Sequence, residues 1–325
     1  MNDVAASVSS HWGARPTFAG VPAAALDDLG SPDVVILGSP IDWGATYRPG
    51  ARFAPGAIRR ADYLDGDGKR PHLPTGIDPL EVLSVVDVGD LVPSPGYLEE
   101  SLGQNRAAVR RIAEAGAIPI VLGGDHSITY ANASGVADVR GFGNVALVHF
   151  DAHADTGETH MGGHLYGHGT PMRRLIESGA VPGHRFAQIG LRGYWPGPDV
   201  VTWMREKGMR WWLMTEIAER GLGPVLDEAI AHVADGADAV FVSVDIDVVD
   251  PAMAPGTGTP EPGGLTSREL LDGVRRVCRT LPVAGADIVE VSPPYDGPGE
   301  ITAFLANRVV LEMLNGMAER LSGSG

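Results

Sequence analysis

Short apolar runs recur along the chain, and most are followed by a segment with helical spacing or by a stretch rich in glycine and proline. Runs of about four to eight apolar residues with such boundaries are typical of buried strands. We predict strands at 33–37, 82–88, 117–122, 145–150, 186–190, 210–214, 239–244 and 284–291. We predict helices from about 55, at 98–115, 171–178, 200–207 and 222–234, from the N-cap Thr266 to 279, and at 301–321.

The alternation of strands and helices predicts an α/β fold with three layers, in which helices cover both faces of a mostly parallel sheet. No linker, composition break or internal repeat divides the chain, so we predict one domain over 1–325. Residues 1–30 are rich in alanine, proline and glycine, which predicts an irregular N-terminal arm. Because ligands of open parallel sheets bind beyond the carboxyl ends of the strands, we look for chemistry there.

Three of the apolar runs lead directly into side chains that bind metals. The run VALVHF ends at Asp151, His153 and Asp155, whose alternation along an extended backbone points them to the same side. The run AVFVSV is followed by Asp245 and Asp247, and the run AIPIVLGG is followed by Asp125 and His126. Carboxylates after a single strand are often solvated turn residues, but three strands that end this way favour a common site.

The ligand types indicate metal-assisted hydrolysis. Four aspartates packed together without cations would repel each other, and some would take up protons. Carboxylate-rich coordination with some imidazole suits Mn²⁺ best, with Zn²⁺, Fe²⁺, Co²⁺ and Ni²⁺ as alternatives. Two divalent ions side by side lower the pKa of water and supply a nucleophile near neutral pH. The candidate metal ligands are His126, Asp151, His153, Asp155, Asp245 and Asp247.

Composition and charge limit the kinds of ligand and partner that the protein is expected to bind. The 325 residues are 44% hydrophobic and 20% charged, as in an ordinary globular enzyme. The formal net charge of −16 argues against a nucleic acid partner and favours a cationic ligand. The single cysteine, Cys278, allows no intrachain disulfide and is predicted to be a core residue of a helix. No secretory signal or membrane-length apolar run is visible, so we expect a cytoplasmic protein without a membrane partner.

Four segments together resemble the ureohydrolase family, which comprises arginases, agmatinases and their guanidino-acid relatives. They are GGDHS, FDAHAD, SVDIDVVDPAMAPGTGTPEPGG and PIDWGATYRPGARFAPGAIR. The resemblance runs from about residue 33 to the C-terminus. It implies an arginase-like fold, a dinuclear manganese centre, cleavage of a guanidino group to urea plus an amine, and a homo-oligomer that is a trimer or hexamer.

The resemblance also implies a role for each matching residue. One metal would be held by His126, Asp151, Asp155 and Asp245, and the other by His153, Asp151, Asp245 and Asp247. His168 would relay protons between bulk water, the leaving amine and the site. Glu290 would pair with the guanidinium, a planar and permanently charged group that suits a carboxylate partner.

For other polar residues near these motifs, roles outside metal binding and catalysis are considered as well. We expect His149 to be a hydrogen-bonded core histidine rather than a ligand. His160 and His164 lie in a glycine-rich loop, where they either touch substrate or are solvated. Asp250 and Asp287 are expected to accept hydrogen bonds rather than to bind metal.

The motifs at the guanidinium end do not distinguish between substrates. Tail recognition is expected from the GETHMGGHLY loop and from the Arg48–Arg52 segment. Arginine is disfavoured, because no Asn-Thr pair follows Asp155 as in the arginase pattern. Glu158 and the negative net charge favour a cationic tail, and hence agmatine, which would yield putrescine and urea. Arg173 and Arg174 could instead receive the carboxylate of a guanidino acid such as guanidinobutyrate, guanidinopropionate or a proclavaminate-type substrate, although their place in a helix favours a surface role.

Two alternatives of other classes stay open. The chain could be an inactive relative that only binds metal or a partner, although the presence of every expected ligand together with His168 and Glu290 argues against this. A single-zinc deacetylase of similar architecture would not need both Asp155 and Asp247. The number of metals per chain separates these classes.

Overall fold

Eight parallel strands form one sheet at the centre of the computed structural model, which describes residues 17–64, 68–236 and 238–323. The strands are β1 (Val34–Gly38), β2 (Val85–Asp90), β3 (Ile118–Leu122), β4 (Val145–Phe150), β5 (Phe186–Leu191), β6 (Arg210–Leu213), β7 (Ala239–Asp245) and β8 (Val283–Val289). Their order across the sheet is β2-β1-β3-β8-β7-β4-β5-β6. The predicted parallel α/β sheet is therefore confirmed.

Ten helices in the described residues surround this sheet. They are α1 (Ala54–Arg60), α2 (Pro79–Val82), α3 (Leu98–Glu114), α4 (Ile128–Arg140), α5 (Pro171–Ser178), α6 (Pro198–Glu206), α7 (Met214–Arg220), α8 (Leu222–Ala234), α9 (Ser267–Thr280) and α10 (Ile301–Ser322). Helices α8, α9 and α10 pack in the core on one face of the sheet, and α3, α4 and α5 in the core on the other. The molecule thus has the three predicted layers.

The strands are buried on both faces, which explains why they read as continuous apolar runs. In β1, Val34 and Ile36 belong to one core, and Val35 and Leu37 belong to the other. This division follows from the alternation of side chains along a strand. Cys278 is buried in the first core, as predicted, and burial raises the pKa of its thiol to about 12.

Helices α4 and α7 are the main elements that the sequence pattern did not predict. Helix α4 packs against both α3 and the sheet, and residues 131–137 are buried without interruption. Its small residues therefore show no polar face from which a helical period could be read. Strand β2 begins three residues later than predicted, because residues 79–82 form a short helix that Asp78 caps by accepting a hydrogen bond from Leu80 N–H.

The predicted N-terminal arm lies only partly within the described residues, and residues 1–16 fall outside them. Within 17–30, Phe18 is buried in the core beside β2, and Ala23 forms an isolated bridge with Asp87. Among the described helices, none combines the length and the apolar character needed to cross a membrane.

Candidate active site

The predicted ligands lie at the carboxyl ends of strands that are neighbours in the sheet. β3, β8, β7 and β4 are adjacent, and the segments that follow them carry the site residues. Asp125 and His126 follow β3, Glu290 follows β8, and Asp245 is the last residue of β7. The 151–155 segment follows β4. The order of strands therefore brings together segments that are far apart in the sequence.

His126 is the centre of a first group of ligand atoms. Its Nδ1 lies 3.1 Å from Asp151 Oδ2, 2.9 Å from Asp155 Oδ2 and 3.0 Å from Asp245 Oδ2. These are the four residues expected to hold one metal. All four are buried, so their polar atoms have little access to bulk water.

His153 is the centre of a second group. Its Nδ1 lies 3.0 Å from Asp247 Oδ2 and 3.6 Å from Asp151 Oδ1. Asp151 therefore directs one oxygen to each group, as a bridging carboxylate would, although Oδ1 also accepts the N–H of His153 at 2.6 Å. The contribution of Asp245 to this second group is less direct, because its Oδ1 accepts the N–H of Asp247 at 2.8 Å.

The ligand atoms of the first group are arranged to bind a divalent cation rather than to form hydrogen bonds with one another. His126 Nδ1 and Asp151 Oδ2 are buried and have no hydrogen bond of good geometry among the described residues, although they lie 3.1 Å apart. Buried polar atoms without partners are rare and need an explanation. An unpaired imidazole nitrogen facing several carboxylate oxygens is the donor set of a metal site.

The protonation behaviour of the carboxylates agrees with this interpretation. Burial raises the pKa of Asp245 well above its usual value, and the negative charges of Asp247 and Asp151 raise it further. The pKa of Asp247 is also raised. Burial is the main cause, and it outweighs the nearby His153, which lowers the pKa. The repulsion expected among these aspartates is thus present, and cations would relieve it.

A chain of hydrogen bonds behind His126 fixes the orientation of its ring. His126 Nε2 lies 3.1 Å from Ser243 Oγ, and the Ser243 hydroxyl donates to Asp287 Oδ1 at 2.7 Å. Asp287 also accepts from Thr129 and Asn132. With Nε2–H held in this way, Nδ1 is left as the ligand atom, as in many metal-binding histidines. Asp287 is the hydrogen-bonding residue that the sequence predicted.

His149 is buried beside the first group and contacts a ligand. Its Nε2 lies 2.7 Å from Asp151 Oδ2. The side-chain amide of Gln188 donates to the Ala154 carbonyl at 2.8 Å and lies 2.9 Å from His149 Nδ1. The amide therefore donates to Nδ1 as well, which places the ring proton on Nε2. With its proton on Nε2, His149 is a buried neighbour of Asp151 rather than a metal ligand, although the two close atoms do not form a hydrogen bond of good geometry.

His168 and Glu290 form a buried pair on the other side of the site. His168 Nδ1 lies 3.0 Å from Glu290 Oε1, which also accepts the N–H of His126 at 2.9 Å. Although burial opposes it, the charge of Glu290 raises the pKa of His168 to about 9. Glu290 and Asp155 both have positive φ, 62° and 50°, which is unusual for residues other than glycine and concentrates at functional sites.

A cavity of about 470 Å³ opens onto these side chains. The lining residues are Thr46, His153, Asp155, Gly157, Glu158, Thr159, His160, Met161, His168, Gly169, Thr170, Trp195, Val200, Asp245, Thr259 and Glu290. Among these described residues, none is a lysine or an arginine. Both metal groups and the His168–Glu290 pair therefore face a cavity whose lining carries carboxylates and histidines but no lysine or arginine.

None of the arginines considered for tail recognition lines the cavity, although Arg173 and Arg174 contact Glu158 at its edge. Arg52 is paired with Asp42, and Arg48 stacks on the ring of Tyr295. Arg173 and Arg174 both pair with Glu177 in helix α5. The 158–161 part of the predicted loop does line the cavity, whereas the Arg48–Arg52 segment does not contribute a side chain to it.

A parallel α/β sheet with clustered carboxylates and imidazoles at its edge, facing a cavity, is the arrangement that a metal-dependent hydrolase requires. The family model described as "Arginase family" matches residues 32–315. The chain belongs to this family, which confirms the ureohydrolase resemblance of its motifs and the class of enzyme, a hydrolase.

Individual relatives carry different names at similar identity. Guanidinopropionase of Pseudomonas aeruginosa is 40% identical over 95% of both chains. Mitochondrial agmatinase of Gallus gallus is 41% identical over 87% of this chain and 80% of its own length. The structure of proclavaminate amidinohydrolase from Streptomyces clavuligerus superimposes with a TM-score of 0.86 at 39% identity, covering 95% of this chain and 99% of that one. A structure of Trypanosoma cruzi formiminoglutamase with Mn²⁺ has a TM-score of 0.80 at 25% identity, covering 89% of this chain and 94% of that one.

Proposed function

We propose that this protein is a dinuclear-metal hydrolase that cleaves a guanidino compound to urea and an amine. The observation that carries the proposal is the meeting of six ligand side chains, from three distant segments, beside the buried His168–Glu290 pair in one cavity. Release of urea from a guanidino compound by the purified protein tests it.

The ligand set supports two divalent ions, most simply Mn²⁺. The first would be held by the His126 group and the second by the His153 group, with Asp151 between them. Four carboxylates and two imidazoles suit manganese among the common divalent ions. When bound, the pair of ions would activate water as a nucleophile near neutral pH.

Glu290 is placed to bind the guanidinium. Its Oε1 already accepts from His126 N–H and His168, and Oε2 receives no hydrogen bond from the described part of the chain. Oε2 is therefore the oxygen left for an N–H of the substrate. A carboxylate that is 2% exposed binds such a cation strongly, because little water screens the pair. His168, which contacts Glu290 and lines the cavity, would supply the proton that the leaving amine needs.

We propose agmatine as the substrate, because the cavity lining contains no lysine or arginine to pair with a carboxylate tail. Glu158 lies at its rim, where an ammonium group could approach it in competition with Arg173, which lies 4.0 Å from the Glu158 carboxylate. The side chain of Glu158 is 79% exposed, so its attraction is screened and its contribution is modest. The stronger discrimination comes from the cavity itself, since a carboxylate enclosed there would have no lysine or arginine among the lining residues to pair with.

A guanidino acid is the second candidate, supported by relatives that carry guanidino-acid names at about the same identity as the agmatinase. The experiment is a comparison of kcat/KM for urea release from agmatine, 4-guanidinobutyrate, 3-guanidinopropionate and arginine. Agmatine should lead. A tenfold or greater preference for 4-guanidinobutyrate would contradict the choice of agmatine, and no urea from any compound would favour an inactive relative. The trimeric or hexameric assembly and the cytoplasmic location stay predictions.

A further inference from the structure

Both ring nitrogens of His168 are engaged. Nδ1 lies 3.0 Å from Glu290 Oε1. Nε2 lies 2.7 Å from Thr46 Oγ1 and 3.2 Å from Thr46 N. Without substrate, the ring therefore has no nitrogen left for direct contact with water, and a proton that it exchanges with water must pass through one of these two partners.

The Glu290 side of the ring has little access to water, although Glu290 lines the cavity. Glu290 is 2% exposed, and the same Oε1 accepts the backbone N–H of His126. A carboxylate held by donors on this oxygen is a poor carrier of protons. Thr46 differs, because it is exposed, lines the cavity and places its hydroxyl directly on the ring.

Backbone hydrogen bonding connects the segment that carries Thr46 to the loop that carries His168. The N–H of His168 donates to the Gly44 carbonyl at 3.0 Å, and the Gly44 N–H donates to Asp125 Oδ2 at 2.7 Å. A Cβ at Gly44 would lie 3.0 Å from the Asp125 carboxylate, so glycine permits this close approach. Further along, Asp42 accepts the N–H of Gly50 at 2.8 Å. The position of the Thr46 hydroxyl is thus set by the backbone.

A hydroxyl suits both protonation states of the ring, because it can donate and accept. It donates to Nε2 when the imidazole is neutral, and it accepts from Nε2–H when the ring is protonated. The backbone N–H of Thr46 can only donate, so it cannot serve the protonated ring. Oγ1 is therefore the atom through which a proton can move in either direction.

We propose that Thr46 is the proton relay between water in the cavity and His168. In one direction, Oγ1 takes a proton from a cavity water as its own proton passes to Nε2, so the hydroxyl is unchanged and hydroxide is left in the water. In the other direction, Nε2–H passes its proton to Oγ1, which gives one to water. This inference rests on the proposed hydrolase function, in which His168 must recover or lose a proton in every turnover.

A matched pair of substitutions tests the relay in the metal-loaded protein. Thr46→Val has nearly the same shape but no hydroxyl, and Thr46→Ser keeps the hydroxyl. With the best guanidino substrate, Thr46→Val should lower kcat about tenfold or more, a part of the usual acid–base contribution. KM, bound metal and melting temperature should stay close to those of the wild type. Thr46→Ser should retain kcat within about threefold.

Rescue by a small buffer separates a relay from a packing role. Imidazole added at rising concentration should raise kcat of Thr46→Val and leave wild-type kcat unchanged, because the buffer can take over the missing transfer. The relay is wrong if Thr46→Val retains wild-type kcat, if Thr46→Ser loses as much as Thr46→Val, or if Thr46→Val is slow and imidazole restores nothing. Absence of urea release by the wild type would instead overturn the proposed function.

Discussion

Removing the charge of Glu290 should abolish a pH-dependent part of the stability of the metal-free protein. His168 has its pKa raised to about 9, although burial alone would lower it, because the Glu290 carboxylate lies 3.0 Å away. Relative to 6.5 in the unfolded chain, this difference of about 2.5 units corresponds to about 3 kcal/mol. Since the folded pKa is the higher one, the contribution is complete below pH 6.5 and is lost as the pH rises to about 9.

Glu290→Gln removes the charge with little change of shape, so the pKa of His168 should fall toward its value in the unfolded chain, with only the smaller effects of Asp155 and Asp125 left to raise it. The assay is denaturant unfolding followed by tryptophan fluorescence, at pH 6 and pH 9.5, with a chelator present so that no metal stabilises the folded state. The loss of free energy of unfolding between these pH values should be about 3 kcal/mol greater in the wild type than in the variant. Glu99→Gln, on the exposed side of α3, is the control. Equal pH dependence in wild type and Glu290→Gln would refute the reasoning.

Three further changes test other parts of the site. Asp245→Ala should lose bound metal and urea release together, measured by elemental analysis and by a urea assay, and retention of both would contradict its role as a ligand. His168→Ala should lower kcat about a hundredfold with bound metal unchanged, so an unaltered kcat would remove it from the mechanism. Ser243→Ala should weaken metal binding about tenfold, because it removes the hydrogen bond that orients the His126 ring. An unchanged rate of metal release into a chelator would contradict this orienting role of Ser243.

The positions of the ligands could be predicted because they depend on local rules. Asp151, His153 and Asp155 alternate after a strand, and strands of a parallel sheet end at a common edge. The order of strands then decides which segments meet, and β3, β8, β7 and β4 are neighbours although they are not consecutive in the chain. The sequence alone shows the strands and their ends, but it does not show this order.

The supporting residues could not be predicted, because each acts through a contact with a distant segment. Ser243 meets His126 across 117 residues, Gln188 meets His149 across 39, and Thr46 meets His168 across 122. A serine, a glutamine or a threonine in an apolar strand or a glycine-rich loop has many possible partners. Only the register of β4, β5 and β7, together with the path of the 42–50 loop, selects the observed ones.

Helix α4 shows the same limit for the fold. Its residues are small and buried almost all round, so neither a helical period nor a strand-like run is visible. The burial of α4 against α3 and the sheet is a property of the whole fold rather than of the segment. Helix α9 is the opposite case, since its capping box at Thr266 and Glu269 is a local signal and is present in the structure.

The central claim is that the His126 and His153 groups together hold two divalent ions that activity requires. Metal content per chain, measured by elemental analysis alongside urea release as manganese is removed and restored, tests it most directly. We expect two ions per chain in the active protein, loss of urea release with the metal and recovery with Mn²⁺. A fully active protein with no metal, or with a single zinc ion per chain, would contradict the account.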